Sequence, residues 1–408
     1  MLTSCMQRVQ LIDNIRSDIP IDNITLRIMT TYTEQQEDLE IIGNMYTMNH
    51  PGIKVEFICV PADQYRQAIR ARLDGAVPPA IFVLTSTGMA SVLEDKLEDL
   101  SEIRLLDSVM DDFVVRHESG KVIGIPISLN AYGFLYNRKI IQNAGLNPDN
   151  IPILANLNTM LNRLDEIIAA GELSEEYPDL VSSFAMGDKN NWAQRVRFHN
   201  LVFPFEISSM TEGGRFEFYT RERVKTMLEI MLRFDKAEIA DSVQSLADNQ
   251  TAVIYGNALD LTASMPRADI RLAPAAVSSW QQHYLPIGAE ECFAVNSDIS
   301  AAEKNAAKNF LEWLFTDTDA ITVITQRLGW IPPYKSIADR HTDDDIARQV
   351  YDMYYDGRGK PLTSFAAVTE EAGAEFNRIT DEYISGRKEW DDSVREIRRV
   401  VNAQSLTE

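Results

Sequence analysis

The chain has 408 residues, 45% apolar and 25% charged, a composition ordinary for a globular protein and a length that predicts two domains. Its 39 basic and 61 acidic residues give a net charge of −22, which repels nucleic acid phosphates and anionic membrane surfaces. No apolar run approaches the roughly 20 residues that cross a bilayer. The composition therefore argues against a nucleic-acid partner and against a membrane-spanning domain.

The three cysteines show no metal-ligand spacing. Cys59 and Cys292 lie in apolar, strand-like runs and are predicted to be small buried hydrophobes rather than disulfides or reactive thiols. Cys5 follows Leu-Thr-Ser, a pattern that resembles a lipidation cysteine, although no charged and apolar signal region precedes it. A truncated start and a chance match both stay open. Residues 1–23 are accordingly predicted to be a tether or an extra N-terminal helix.

The first elements predict a sheet with helices on both faces. A buried strand begins at Ile24, a helix capped by Thr33 with Gln36 follows, and further strands are predicted at 53–60 and 80–84 around a helix at 62–73. This βαβαβ order implies a mainly parallel sheet. Ligands bind beyond the carboxyl ends of such strands, where the loops 30–35 and 85–88 are rich in hydroxyls.

The middle of the chain is predicted to be helix-rich, with helices at 157–170, 189–203 and 221–235. Strands are predicted at 252–255, 270–273 and 291–296. Ser300 and Glu303 form a capping-box pattern that opens a helix over 300–314. Amphipathic helices are predicted at 343–355 and 369–404.

An interrupted strand suggests that the chain crosses between two sheets. The apolar runs 122–127 and 133–136 are separated by the polar segment 128–132, which would act as a hinge. The segment 270–276 is predicted to form a second crossing and 329–333 a third. The alternative is a simple bulge within one large sheet.

A series of short segments extends in order from about residue 24 to residue 400. They are NHPGIKV at 49–55, LDGAVPPAIF at 73–82, KLEDLS at 96–101, GIPIS at 124–128, LYNRK at 135–139, AGL at 144–146, DNQTAVIYG at 248–256, AAKNFLEWL at 306–314 and GWIP at 329–332. The series resembles the extracellular solute-binding proteins of bacterial ABC importers. The resemblance is to family 1, the maltose-binding-protein-like carbohydrate binders.

The resemblance implies an α/β, two-lobed periplasmic-binding-protein-like fold (type II). Each lobe would be a mainly parallel sheet flanked by helices and joined by hinge strands, with lobes at 24–128 plus 276–328 and at 129–275 plus 329–408. The implied partners are a small-molecule carbohydrate ligand and ABC permease subunits in the membrane, with no cofactor. The protein would be an extracytoplasmic monomer, anchored at the cell surface through Cys5 or periplasmic.

The resemblance also places ligand-binding residues. Asn130 and Tyr132 would face the ligand at the hinge, and the facing lobe would contribute Tyr255 and Asn257. The loop after the third strand would contribute three hydroxyl residues, Thr85, Ser86 and Thr87. Two departures from the family are Pro78-Pro79 in place of its usual Pro-Asp and the lack of an aromatic residue shortly after Gly256.

A sugar presents an apolar face and a ring of hydroxyls, so its site needs an aromatic platform and planar polar groups. Trp192, Trp280 and Trp330 are the platform candidates, because each lies in a loop-like polar context; the alternative is packing at a lobe surface. The remaining candidates have structural alternatives. They are Tyr32 (ligand or rim), Asn130 (ligand or hinge backbone), and Glu290 with Glu291 (ligand or turn cap).

Motifs of covalent and metal chemistry are absent from the sequence: it contains no HExxH, GxSxG, CxxC, Walker-type loop or GxGxxG. The 61 acidic residues offer chance carboxylate pairs for glycoside hydrolysis, but no pattern selects one pair. The sequence thus predicts capture of an oligosaccharide by hinge closure, without catalysis and without a metal. The alternatives are a glycan-active enzyme on a similar scaffold and a ligand-sensing component coupled to a membrane receptor.

Overall fold

The computed structural model describes most of the chain after residue 22. The described ranges are 23–85, 87–117, 119–152, 154–185, 225, 242–262, 269–274, 276–279, 282–289, 291–340, 346–361, 375, 378–379, 381–383 and 385–404. The helices predicted at 189–203 and 221–235 lie outside these ranges.

The strands are numbered in chain order. They are β1 (Ile24–Thr30), β2 (Ile53–Cys59), β3 (Ile81–Leu84), β4 (Val115–Arg116), β5 (Val122–Pro126), β6 (Asn130–Asn137), β7 (Ser182–Ala185), β8 (Thr251–Asn257), β9 (Ile270–Pro274), β10 (Ala276–Ser279), β11 (Gln282–Gly288), β12 (Cys292–Val295) and β13 (Gly359–Pro361).

The α-helices are numbered in the same way. They are α1 (Gln36–Asn49), α2 (Ala62–Leu73), α3 (Thr87–Val92), α4 (Arg138–Asn143), α5 (Leu154–Ala169), α6 (Ser242–Ala247), α7 (Ala258–Thr262), α8 (Ala301–Thr316), α9 (Thr318–Gln326), α10 (Lys335–Ala338), α11 (Ile346–Tyr355) and α12 (Trp390–Gln404).

The first sheet has the strand order β2-β1-β3-β12-β5-β4. The βαβαβ unit predicted from the sequence supplies its parallel part, since β1 is parallel to β2 and to β3. Strand β12 enters from the far end of the chain and pairs antiparallel with both β3 and β5. Helix α1 packs on β2 and α8 on β1, which covers the sheet with the apolar faces of both helices.

The second sheet has the order β10-β11-β6-β8-β7, with β9 also on β6 and β13 on β11. Strand β6 is its centre and pairs antiparallel with β8, β9 and β11. Two apolar clusters flank this sheet, one containing Leu161 and Trp390 and the other Leu246 and Tyr351. The two sheets, each with its own core, confirm the two-lobed α/β fold.

Both sheets are mixed, which corrects the prediction of mainly parallel sheets. In the first sheet β12 and β5 run against their neighbours, and in the second sheet most pairs around β6 are antiparallel. The crossings account for part of this, because β6 and β12 each arrive from the other sheet and run antiparallel to their neighbours.

The first predicted crossing is confirmed: β5 belongs to the first sheet and β6 to the second. The crossing predicted at 270–276 is wrong, because β9 pairs with β6, and β10 with β11, inside the second sheet. The chain instead returns to the first sheet between β11 and β12. The boundaries of the lobes along the chain stay a prediction.

The third crossing, 329–333, lies beside the first. Trp330 belongs to the core of the first lobe, and Ile331 to a core of the second. The backbone N–H of Leu129 donates to the carbonyl of Ile331 at 2.7 Å, and the N–H of Ile331 donates to Ser128 Oγ at 2.8 Å. The two crossings are therefore hydrogen-bonded side by side.

The predicted start of a helix agrees with the structure for α8 and α2 but not for α1. Ser300 and Glu303 form the predicted capping box at the start of α8, and α2 has the predicted bounds. Thr33 is not the N-cap of α1: the helix begins at Gln36 with Gln35 at the cap and no side-chain cap hydrogen bond. Thr33 lies too early because the chain first makes a turn, in which the N–H of Thr33 donates to the carbonyl of Thr31.

Candidate functional site

The candidate site lies where the crossing between β11 and β12 meets the loop after β1. Glu291, on that crossing, accepts a short hydrogen bond from the phenol of Tyr32 on its Oε2. Its Oε1 accepts from Thr31 Oγ1 at 3.3 Å. The backbone carbonyl of Glu291 accepts from the N–H of Ile127 at 3.1 Å, which places the backbone of Glu291 next to the first crossing as well.

The phenol of Tyr32 is held in its protonated form. Burial raises the pKa of Tyr32 well above its ordinary value, and the negative charge and hydrogen bond of Glu291 raise it further. The phenol therefore remains a donor to Glu291 throughout the physiological pH range.

An aromatic pair adjoins this carboxylate. The rings of Tyr32 and Trp330 are 5.4 Å apart and tilted by 47°, and Trp330 also lies 6.3 Å from Phe293. Tyr32 is half-buried, whereas Trp330 is 2% exposed and packs in the core of the first lobe. Tyr32 thus presents the more open ring of the pair, and ligand contact by Trp330 stays a prediction.

Two buried amides meet at the start of β6. Asn257 Nδ2 donates to Asn130 Oδ1 at 3.0 Å, and Asn257 Oδ1 accepts from the N–H of Ala131 at 3.2 Å and of Leu259 at 3.1 Å. The chain forms these bonds because β8 ends at Asn257 opposite Tyr132 on β6. Asn257 therefore ties the hinge backbone, and direct ligand contact by either amide stays a prediction.

Tyr132 and Tyr255 pack in the core of the second lobe, at 3% and 8% exposure. The ring of Tyr255 lies edge-on to Phe134, with the centroids 5.6 Å apart, and burial raises its pKa well above the ordinary value. Each ring gives a ligand little surface in this structure.

The loop after β3 contributes Thr85, which is exposed and donates from Oγ1 to Met89 Sδ at 3.7 Å. Thr87 begins α3. The remaining predicted site residues lie outside the described residues; they are Cys5, Ser86, Trp192, Trp280 and Glu290.

Two hydroxyl residues at the site were not singled out by the sequence. Thr31 binds the Glu291 carboxylate, and Ser128 joins two crossings through the N–H of Ile331. The hydroxyl-rich loop 30–35 was a usable signal for Thr31, since it follows β1 directly. Ser128 carried no signal beyond its place in the interrupted strand.

A separate groove of about 720 Å³ lies between α2 and α3. Its apolar lining includes Ile69, Met89 and Leu93, and charged side chains of α2 form its rim. It shares no lining residue with the crossings. Across the described ranges, no cluster of three or more His, Cys, Asp or Glu side chains could hold a metal ion.

No helix in the described part of the chain is both long and apolar enough to cross a membrane.

No curated protein sequence was found to match the chain. Solved structures, in contrast, match it over nearly its whole length. A family 1 extracellular solute-binding protein from Bifidobacterium longum subsp. infantis is similar at a TM-score of 0.64 and 18% identity, covering 95% of this chain and 100% of that one.

Two further structures carry bound ligands. A sugar transporter from Bacillus licheniformis in complex with stachyose matches at a TM-score of 0.66 and 15% identity, over 92% of this chain and 98% of its own. UgpB from Mycobacterium tuberculosis in complex with glycerophosphocholine matches at 0.70 and 16%, over 94% and 99%. At these identities the likeness establishes the fold.

The family itself is established by sequence. The family model described as "Bacterial extracellular solute-binding protein" matches residues 42–350, which include β2 to β12 and the three crossings seen among the described residues. The chain therefore belongs to the family of bacterial extracellular solute-binding proteins.

Proposed function

We propose that this protein captures an oligosaccharide outside the cytoplasm and delivers it to the membrane permease of a bacterial ABC importer. Membership of the solute-binding family supports the capture step. The Bacillus licheniformis protein of the same fold binds stachyose, which supports a sugar of this size as the ligand.

One observation carries the proposal: within the described residues, three connections pass between two separate sheets and bring polar and aromatic side chains together at the junction. Glu291 and Tyr32 meet there through their hydrogen bond, and Trp330 packs on Tyr32. Few backbone positions join the lobes, so the lobes can rotate about them. A ligand that contacts both lobes only in the closed form shifts the population towards that form.

The chemistry of the junction suits a sugar. Carboxylate, phenol and amide groups pair with ring hydroxyls, and an aromatic face covers the apolar side of a pyranose ring. The candidate set comprises residues on both lobes: Tyr32, Thr85, Ser86, Thr87, Trp192, Asn130, Tyr132, Tyr255, Asn257, Trp280, Glu290 and Trp330. We propose that they bind the ligand without covalent chemistry.

The remaining features of the proposal concern the whole protein. It would act as a monomer whose closed form docks on the permease subunits, with lobes divided at about 128, between β11 and β12, and at about 328. It would be held at the cell surface through a lipid on Cys5 or be free in the periplasm. The relatives in the family are solute-binding proteins rather than enzymes, which supports binding alone.

The test is calorimetric titration of the protein with neutral oligosaccharides, including stachyose, raffinose and maltose, combined with small-angle scattering. We expect saturable binding to at least one sugar together with a smaller radius of gyration. Chromatography of the same mixtures should show the sugar unchanged, since product formation would favour the enzyme alternative. Absence of both binding and compaction across the panel would contradict the proposal.

A further inference from the structure

Glu291 turns two hydroxyl hydrogens of the loop after β1 towards itself. Tyr32 and Thr31 each have a single O–H, and both donate it to the carboxylate of Glu291. Towards any other group these two hydroxyl oxygens can therefore only accept. The hydrogen bonds thus fix the polarity of this edge of the site as well as its shape.

The arrangement persists because the phenol does not ionise. Burial and the neighbouring carboxylate both raise the pKa of Tyr32, so that its hydrogen stays between the two oxygens. Rotation of the phenol hydrogen away from Glu291 would give up a charge-assisted hydrogen bond, which is about twice as strong as a neutral one.

We propose that Glu291 is a specificity-determining residue, which makes the Thr31–Tyr32 loop a hydrogen-bond acceptor surface and selects neutral, hydroxyl-bearing ligands over anionic ones. This inference rests on the proposed function, since it describes the ligand of the same site. A sugar hydroxyl can donate to the oxygens of Thr31 and Tyr32. A carboxylate or phosphate carries only acceptors. It would face the oxygen lone pairs of Thr31 and Tyr32 and be repelled by the negative charge of Glu291.

The fold by itself does not impose this choice. The Mycobacterium tuberculosis protein of the same fold is in complex with glycerophosphocholine, whose phosphodiester is anionic. Discrimination by charge must therefore come from individual side chains, and Glu291 is a carboxylate that the structure places on a crossing between the lobes.

The test is the ratio of affinities for neutral oligosaccharides and for their uronic-acid counterparts, measured by calorimetry for the wild-type protein and for Glu291→Gln. A glutamine removes the charge, and its NH₂ can donate to Tyr32, which frees the phenol hydrogen for an anionic ligand. We expect the wild-type protein to prefer the neutral sugar and the variant to lose at least about tenfold of that preference, equivalent to about 1.4 kcal/mol.

Two further variants keep the result interpretable. Tyr32→Phe removes one acceptor oxygen but leaves the charge of Glu291, so it should weaken the binding of the neutral sugar while uronic acids stay disfavoured, even if Glu291→Gln does not fold. Asp112→Asn is the matched control, because Asp112 accepts from the phenol of Tyr354 at 2.7 Å at another place in the fold. It should leave the ratio unchanged.

The possible failures are distinguishable. If the ratio of affinities for neutral and acidic sugars is the same in Glu291→Gln as in the wild-type protein, or if Tyr32→Phe leaves the affinity for the neutral sugar unchanged, the inference is overturned and the proposed function stays intact. Tighter binding of the uronic acids by the wild-type protein overturns the inference in the same way. If neither class of glycan binds, the proposed function falls, and the inference falls with it.

Discussion

The side chain of Asn257 bonds to both Asn130 and the backbone of Ala131, at 3.0 Å and 3.2 Å. One amide at the end of β8 therefore holds the first two residues of β6, at the point where the chain enters the second lobe. Both asparagines are buried, so their polar atoms depend on each other rather than on water.

We expect Asn257→Ala to lower the free energy of unfolding by about 1–3 kcal/mol, because it leaves Asn130 Oδ1 and the N–H of Ala131 without this partner in a buried site. Chemical denaturation monitored by circular dichroism measures the change. Asn143→Ala is the control, since the hydrogen bond of Asn143 with Tyr177 is exposed and its loss should cost less than 1 kcal/mol, on the order of a surface contact. Equal losses in the two variants would contradict this account of the hinge.

Local patterns predicted most of the first lobe. The alternation at β1, the helix Ala62–Leu73 and the capping box at Ser300 depend on neighbouring residues, and the structure confirms all three. The return crossing was misplaced because β11 carries Gln282, His283 and Pro286, which obscure a strand pattern. Because β11 has no clear strand pattern, nothing in the sequence indicates that the chain stays in the second lobe beyond residue 276.

The centre of the site could not be predicted in this way. Tyr32 and Glu291 are 259 positions apart, and only the pairing of β12 between β3 and β5 brings them together. A sequence pattern could place each residue at the end of a strand, but the hydrogen bond between them depends on sheet order. The same holds for Ser128 and Ile331.

Gly124 on β5 should not accept a side chain. A Cβ at this position would lie 2.3 Å from Cys292 Sγ on β12, so Gly124→Ala is expected to destabilise the protein by about 1–3 kcal/mol through overpacking. Thermal unfolding measures the loss, and the double variant Gly124→Ala with Cys292→Ala should recover part of it. Gly256→Ala is the control, because its nearest neighbour, Leu135 Cδ1, is at an ordinary 3.5 Å. A larger loss at Gly256 than at Gly124 would show that the contact between β5 and β12 is not the cause.

Glu98 should make stability depend on acid pH. Burial of Glu98 raises its pKa, but hydrogen bonds from Lys308 and Lys304, at 2.8 and 2.9 Å, outweigh burial and leave the pKa below the ordinary value. The ion pairs therefore stabilise the fold above the ordinary pKa of about 4.3, and this stability is lost as the pH falls through the lower, folded pKa.

Glu98→Gln is accordingly expected to unfold more easily at pH 7, by about 0.5–1 kcal/mol, and the difference from the wild-type protein should shrink as the pH falls below 4, to about zero near pH 2–3. Urea denaturation at a series of pH values measures both quantities. Lys308→Met should change the pH dependence in the same direction, because it removes one of the two partners. A difference that grows on acidification would refute the assignment.

Trp330 offers a way to separate packing from ligand contact. Trp330→Phe keeps an aromatic ring beside Tyr32 but is smaller, so the free energy of unfolding should fall by about 1–3 kcal/mol. If the indole also covers a sugar ring, affinity for the bound oligosaccharide should fall by about tenfold, the scale of one aromatic contact. Trp313→Phe is the matched control, because Trp313 on helix α8 packs on Tyr46 of helix α1, with the ring centroids 5.0 Å apart. Trp313→Phe should lose stability without losing affinity, since its ring lies in the lobe and not at a crossing. Should both variants lose affinity equally, the effect of Trp330 would be one of lobe stability, and Tyr32 would remain as the aromatic contact to the sugar.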